Sequence, residues 1–387
     1  MRIVFLYTLF FTLIGGCTIN NLEPAQTNTF LKFYYETNKM ESKDLVVLTD
    51  GYLILSTYSD TTSLLLKTDL LGNKIWATSL PYFKGSAITV ANDGYIIIGD
   101  SINTQDGFTF MQLIKTNSGN GNRIGSSLIG TGVHHGSGVI LTSTNEIIGL
   151  GYTKSNAAIT PDSIILMGYT TDLVEIWPSP RRYLSELPSS AVVEKEGLIT
   201  WISYYSNQKN ISLTTVLPNN EGNESNPTLF NGQTLANTNG GFVSTPAGYG
   251  VVQSVINGNS ESKIGFSSLI NGSIDTEVVI EDGEFAIGNY NGCALTNTLN
   301  GLLIAATTDN HVEATRADAD LLLLEIDSNG NLVPGGINQT FGGIGDEIPV
   351  RIRKTADGGY VILGTSINSK GAQQTFLLKT NSKGLLN

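Results

Sequence analysis

A unit of about fifty residues recurs seven times along this chain, and that periodicity restricts the possible folds more than any other feature. The clearest copy is Ala356-Asp357-Gly358-Gly359-Tyr360-Val361-Ile362-Leu363-Gly364-Thr365-Ser366, followed by a polar loop and then Thr375-Phe376-Leu377-Leu378-Lys379-Thr380-Asn381. Asn92-Asp93-Gly94-Tyr95 leads in the same way to Leu113-Ile114-Lys115-Thr116-Asn117, and Thr49-Asp50-Gly51-Tyr52 to Leu65-Leu66-Lys67-Thr68-Asp69. Weaker copies turn at Asn145, Gly197, Gly248 and Gly301, so the steps from Gly51 to Gly359 are 43, 51, 52, 51, 53 and 58 residues.

Each unit holds four short apolar runs separated by turn residues; in the first they are Asp44–Leu48, Tyr52–Ser56, Ser63–Thr68 and Lys74–Leu80. The runs are too short, and too closely bounded by Gly and Asn, to be helices of several turns. Asp-Gly and Asn-Gly supply the positive backbone angles that tight hairpins ask for. Runs such as Tyr95–Ile98 and Leu321–Leu324 are apolar without alternation, as in strands covered on both faces. The expected fold is therefore all-β, a seven-bladed β-propeller of four-stranded antiparallel blades. The seventh unit ends at Asn387, one strand short, and Thr29–Tyr35 belongs to no repeat, so this N-terminal segment is expected to complete the last blade and cover its edge.

The string Phe341-Gly342-Gly343 with Gly345-Asp346, the Asp357-Gly358-Gly359-Tyr360 turn and Phe376-Leu377-Leu378-Lys379-Thr380-Asn381 resemble the repeats of bacterial secreted or lipid-anchored β-propeller proteins of unassigned function. The resemblance runs from about residue 27 to the end and is weakest in units three to five. It implies a fold and brings no catalytic residues with it.

Met1-Arg2, the apolar stretch Ile3–Ile14 and the string Ile14-Gly15-Gly16-Cys17 resemble a lipoprotein signal, with Cys17 as the acylated first residue of the mature chain. The apolar run is shorter than the roughly 20 residues that a membrane-spanning helix needs. Residues 1–16 are thus expected to be a signal peptide, 17–28 a tether and 29–387 one propeller domain. The expected location is the bacterial cell envelope, lipid-anchored at the outer membrane through acyl chains such as palmitate on Cys17. Cys293 is the one other cysteine, so no internal disulfide is expected, and its apolar inner-strand setting reads as a buried structural thiol.

With 22 basic and 34 acidic side chains the formal charge is −12, which argues against nucleic acid as a partner. The basic pair Arg181-Arg182 reads as a solvated connector. Asp69-Leu70-Leu71-Gly72-Asn73 and Asp327-Ser328-Asn329-Gly330-Asn331 lack the ligand series of a calcium loop and read as hairpin turns. Gly-x-Ser-x-Gly, phosphate-loop and His-Glu-x-x-His patterns are missing from the sequence. Trp76, Trp177 and Trp201 do not repeat blade by blade as a quinone-cofactor propeller would require, and no cofactor or metal is expected.

These residues point to a noncatalytic, monomeric binding or scaffold module that meets a protein or glycan through loops on one face. Candidate ligand-face residues are His134 and His135 in the connector Gly130–Gly138, His311 and Arg316 in the long loop Thr307–Asp320, and Asp346 in the connector Gly343–Glu347. The alternative is a glycan lyase or hydrolase with acids or histidines in a central funnel. Convergence of two or more such groups within hydrogen-bonding reach in one concave pocket separates the two readings.

Overall fold

The computed structural model describes residues 29–35, 39–59, 61–102, 109–129, 134–153, 163–177, 181–183, 187–204, 211–217, 228–230, 233–235, 240–256, 258, 260–281, 288–309 and 318–386. Cys17 and the segment before it lie outside these residues, as do His311 and Arg316. No helix occurs among the described residues, and none is therefore long and apolar enough to cross a membrane.

The strands form antiparallel groups in chain order, each beginning at one edge and ending at the other. Unit one consists of Glu41–Leu48, Gly51–Ser59, Thr62–Thr68 and Lys74–Pro81. Unit two consists of Phe83–Ala91, Gly94–Ile102, Thr109–Asn117 and Arg123–Ile129, and a lone parallel bridge, Thr62 to Phe83, joins it to unit one. The remaining units begin at His134–Leu141, Leu187–Lys195, Gly241–Ser244, Tyr290–Asn297 and Asp346–Lys354. In unit seven, Phe30–Tyr34 pairs antiparallel with Gln373–Thr380, Phe33 lying opposite Phe376.

The apolar second strands lack alternation because each face meets a different neighbour, side chains pointing alternately to the two sides of a strand. Leu53 and Leu55 pack with Tyr95 and Ile97 of unit two, whereas Tyr52 and Ile54 pack with Val361 and Leu363 of unit seven. Ile96 and Ile98 pack in turn with Ile147 of unit three. The buried core among the described residues is divided into such clusters, each shared by two units adjacent in order, the first and last units sharing one.

Some glycines at these turns take the positive angles expected, among them Gly197 (78°) and Gly330 (81°), while others answer to close approach. At Gly94 a Cβ would stand 2.0 Å from the Thr116 carbonyl oxygen, and at Gly359 2.2 Å from that of Thr380. The requirement there is close approach of the third strand, while positive φ falls on neighbours such as Gly358 (82°) and on Asn145 (62°). Arg181-Arg182 is also not a solvated connector. It begins the outer strand Arg181–Tyr183 of unit three, and the Arg181 guanidinium lies 4.4 Å from the centre of the buried Trp177 ring.

Candidate functional site

The first strands of the units converge on a shared cavity. Its deeper part, about 460 Å³, is lined by residues from all seven first strands, among them Val46, Ile88, Val139, Val192, Phe242 and Leu295. Above it, where those strands begin, a wider funnel of about 580 Å³ opens. More than half of the residues lining the funnel are polar or charged.

The local device that shapes the funnel is a β-bulge. The ladder between first and second strands slips by one residue at Lys43, Ser86, Ser137, Cys293 and Val350. Each of these residues lines the funnel, as expected where an unpaired residue re-aims a side chain. Cys293 is buried there, its thiol pushed up to about 12 by desolvation, which suits a packed structural group rather than a nucleophile.

Backbone N–H groups at the starts of these strands are held by the preceding unit. Ser42 N donates to Thr365 Oγ1 (2.9 Å), Gly85 N to Ser63 Oγ (2.7 Å) and Gly240 N to the Tyr204 hydroxyl (3.0 Å). At the seam between units two and three the acceptor is a carboxylate, with Gly136 N donating to Asp100 Oδ1 at 2.8 Å. The second oxygen of Asp100 lies 2.8 Å from His135 Nδ1. The His135 ring in turn stacks on Tyr152, its cross-strand partner, with centroids 4.8 Å apart and planes inclined by 29°. Burial, with a smaller contribution from the Asp100 charge, pushes the Tyr152 hydroxyl up to about 12, so it is protonated throughout the neutral range.

Asp44 performs a related task deeper down. It is buried, its Oδ1 accepts from Leu45 N (2.9 Å) and Arg351 Nε (2.8 Å), and its Oδ2 accepts from Ile88 N (2.9 Å). One side chain thus joins units seven, one and two.

The sequence-derived candidates separate. His135 is half-buried in the funnel wall, hydrogen-bonded and stacked. His134, its neighbour on the same strand, is 5% exposed and does not line the funnel, and both histidines lie in the first strand of unit three rather than in a connector. Alternation along the strand decides which of the two reaches the cavity. Asp346 opens the first strand of unit seven, and its Oδ1 accepts from Ala319 N at 2.9 Å, a connector-fixing role. The turn at Asp327 closes on itself, Oδ1 accepting from Asn329 N (2.8 Å) and Asn331 N (2.9 Å), as a hairpin turn rather than a calcium loop requires.

Lys84, Asp100, Tyr152 and Arg351 were not among the candidates. A signal for two of them lay in aligning the repeats on the second strand, where Gly99-Asp100, Gly151-Tyr152 and Gly364-Thr365 are equivalent. A position that carries a hydroxyl in unit seven carries a carboxylate and a phenol in units two and three. Lys84 and His135 then follow as the residues opposite Asp100 and Tyr152.

Searches by sequence find no matching family profile and no matching curated protein. Solved structures do match by shape. The polysaccharide lyase Uly1 superposes with a TM-score of 0.52 at 8% identity, over 90% of this chain and 91% of that one. The β-propeller domain of the Trilobed protease from Pyrococcus furiosus, described as having an open velcro topology, gives 0.51 at 10% identity over 92% and 97%. The scaffold is a β-propeller. The acylaminoacyl peptidase of Pyrococcus horikoshii gives 0.51 at 10% identity, covering 88% of this chain but 51% of that one. At such identities the likeness concerns the fold, because the same scaffold carries unrelated activities.

Proposed function

We propose that this protein is a lipid-anchored module of the bacterial cell envelope, a closed ring of seven blades that binds a glycan or protein ligand in its funnel without chemically altering it. The observation that carries the reading is the 580 Å³ polar funnel, to which every unit contributes a residue. A concave, preformed site on a rigid scaffold with convergent polar groups is the usual form of a ligand site. Closure of the ring is supported by the core cluster shared by units seven and one, and by the pairing of Phe30–Tyr34 with Gln373–Thr380.

Anchoring rests on the Ile14-Gly15-Gly16-Cys17 string, with the outer membrane as its site. In a bacterial host, Cys17→Ala is expected to move the protein out of the membrane fraction, and unchanged fractionation would count against the anchor.

Binding is tested by screening the full chain against arrays of glycans and peptides, alongside variants of the funnel rim and of the turns at the opposite mouth. Rim variants are expected to lose the ligand. Loss confined to the opposite mouth or the outer strands would place the site elsewhere. The second reading, a glycan lyase or hydrolase, draws on the His135–Asp100 pair, since a carboxylate that fixes an imidazole can serve proton transfer. Shortened or unsaturated sugar products from any bound glycan would favour it.

A further inference from the structure

We propose that the funnel takes a carboxylate-bearing glycan, a chain containing uronate residues, and that Lys84 receives the ligand carboxylate. The inference rests on the binding reading above and concerns the chemistry of the ligand. It starts from an inversion of charge. The whole chain carries 22 basic against 34 acidic side chains, yet the funnel and the deeper cavity together are lined by Lys43, Lys84, Arg351, Arg353 and Lys354 against Glu41, Asp44 and Asp100. A cavity with low-dielectric walls and an excess of one sign concentrates counter-charged ligands beyond what the same charges would do on an open surface.

Most of these charges are already committed. Lys43 is held by Glu41, and Arg351 by Asp44 at 2.8 Å. Both oxygens of Asp100 are engaged, by Gly136 N and by His135. Lys84 stands directly across the strand pair from Asp100, is exposed to the funnel and, among the described residues, makes no ion pair. The Asp100–His135 bond therefore does more than the seam needs. Equivalent seams close with a neutral hydroxyl, and here the second carboxylate oxygen is turned onto the imidazole and leaves the neighbouring ammonium available. Deeper in, Arg353 (45% exposed side chain) and Lys354 extend the positive wall, with Asp44 as the acid facing them.

The rest of the lining favours a sugar over a peptide. Ser86, Ser137, Thr365, Gln373 and Tyr152 present hydroxyl and amide groups that match the mixed donors and acceptors of a pyranose. Peptide recognition draws its energy from aromatic or aliphatic anchors seated in apolar pockets, and apolar side chains are the minority in this funnel.

The experiment is a calorimetric titration of the full-length protein with tetragalacturonate, with the same oligosaccharide fully methyl-esterified, and with tetraglutamate. Tetragalacturonate is expected to bind with an affinity that falls as salt is raised. The ester is expected to bind at least about tenfold more weakly, the loss that one removed charge contact of about 1.4 kcal/mol gives, and the peptide also more weakly because it lacks the ring hydroxyls that the lining matches. Lys84→Glu, at an exposed site where the fold has no stake, is expected to abolish binding of the acid, whereas Lys84→Arg keeps it.

Equal affinity for acid and ester overturns the proposal while leaving a glycan module in place. Preference for tetraglutamate overturns it in favour of an acidic peptide. An acid that fails to bind, or that binds Lys84→Glu unchanged, also overturns it. Conversion of the bound acid to shorter products leaves the ligand class standing and removes only the noncatalytic part of the reading.

Discussion

At the scale of single residues, the repeated Asp-Gly and Lys-Thr of the sequence prove to be partners. Asp50 and Lys67 lie 2.7 Å apart, Asp93 and Lys115 2.8 Å, Asp357 and Lys379 2.9 Å, each joining the first hairpin turn of a unit to its third strand. Burial alone would raise the Asp357 pKa, but hydrogen bonds from Thr355, Lys379 and the Gly359 N–H outweigh it and hold the carboxyl below the usual 3.8. A depressed folded-state pKa stabilises the protein above the unfolded-state value, and the contribution disappears as pH falls through the folded-state pKa. Asp357→Asn is expected to cost about 1 kcal/mol at neutral pH, kept small because the carboxylate is 46% exposed. Denaturant titrations at pH 7 and below pH 3 should show the gap between variant and parent closing in acid, and a pH-independent gap would refute the charge argument.

At the scale of elements, the bulged first strands decide what the molecule can offer a ligand. A regular ladder would alternate side chains strictly between its two faces, whereas the extra residue at Lys43, Ser86, Ser137, Cys293 and Val350 turns one more group toward the funnel. The strands are then tied at the seams, most heavily through Asp44. Asp44→Ala takes one acceptor from Arg351 and leaves the Leu45 and Ile88 N–H groups without this one, and is expected to destabilise the fold by about 3 kcal/mol. Adding Arg351→Leu should recover part of that loss, since removing both charges is milder than stranding one. A double variant no more stable than Asp44→Ala would show that the ion pair is not the source.

At the scale of the whole molecule, the pairing of the chain ends is the least local contact and the most informative to remove. Deleting residues 29–35 takes away the strand against Gln373–Thr380 and with it Phe30 and Tyr34, which pack on the cluster shared by units one and seven. The truncated protein is expected to melt at lower temperature and to self-associate through the bared edge. Light scattering and thermal melting test both, and a deletion variant that melts as the parent does and self-associates no more than the parent would defeat the argument.

The amino-acid sequence alone determined the repeat length, the strands and their hairpins, because these follow from turn chemistry and from a two-residue side-chain period within tens of residues. It also pointed to His135. What only the tertiary structure decided is that His135 faces the funnel while His134 does not line it, and that Asp100, 35 positions earlier, reaches the His135 ring. Lys84 and Arg351, far apart in the chain, likewise line one cavity only because successive units turn their first strands toward a common centre. Charge at the funnel is a sum over distant strands, and no window of sequence contains it.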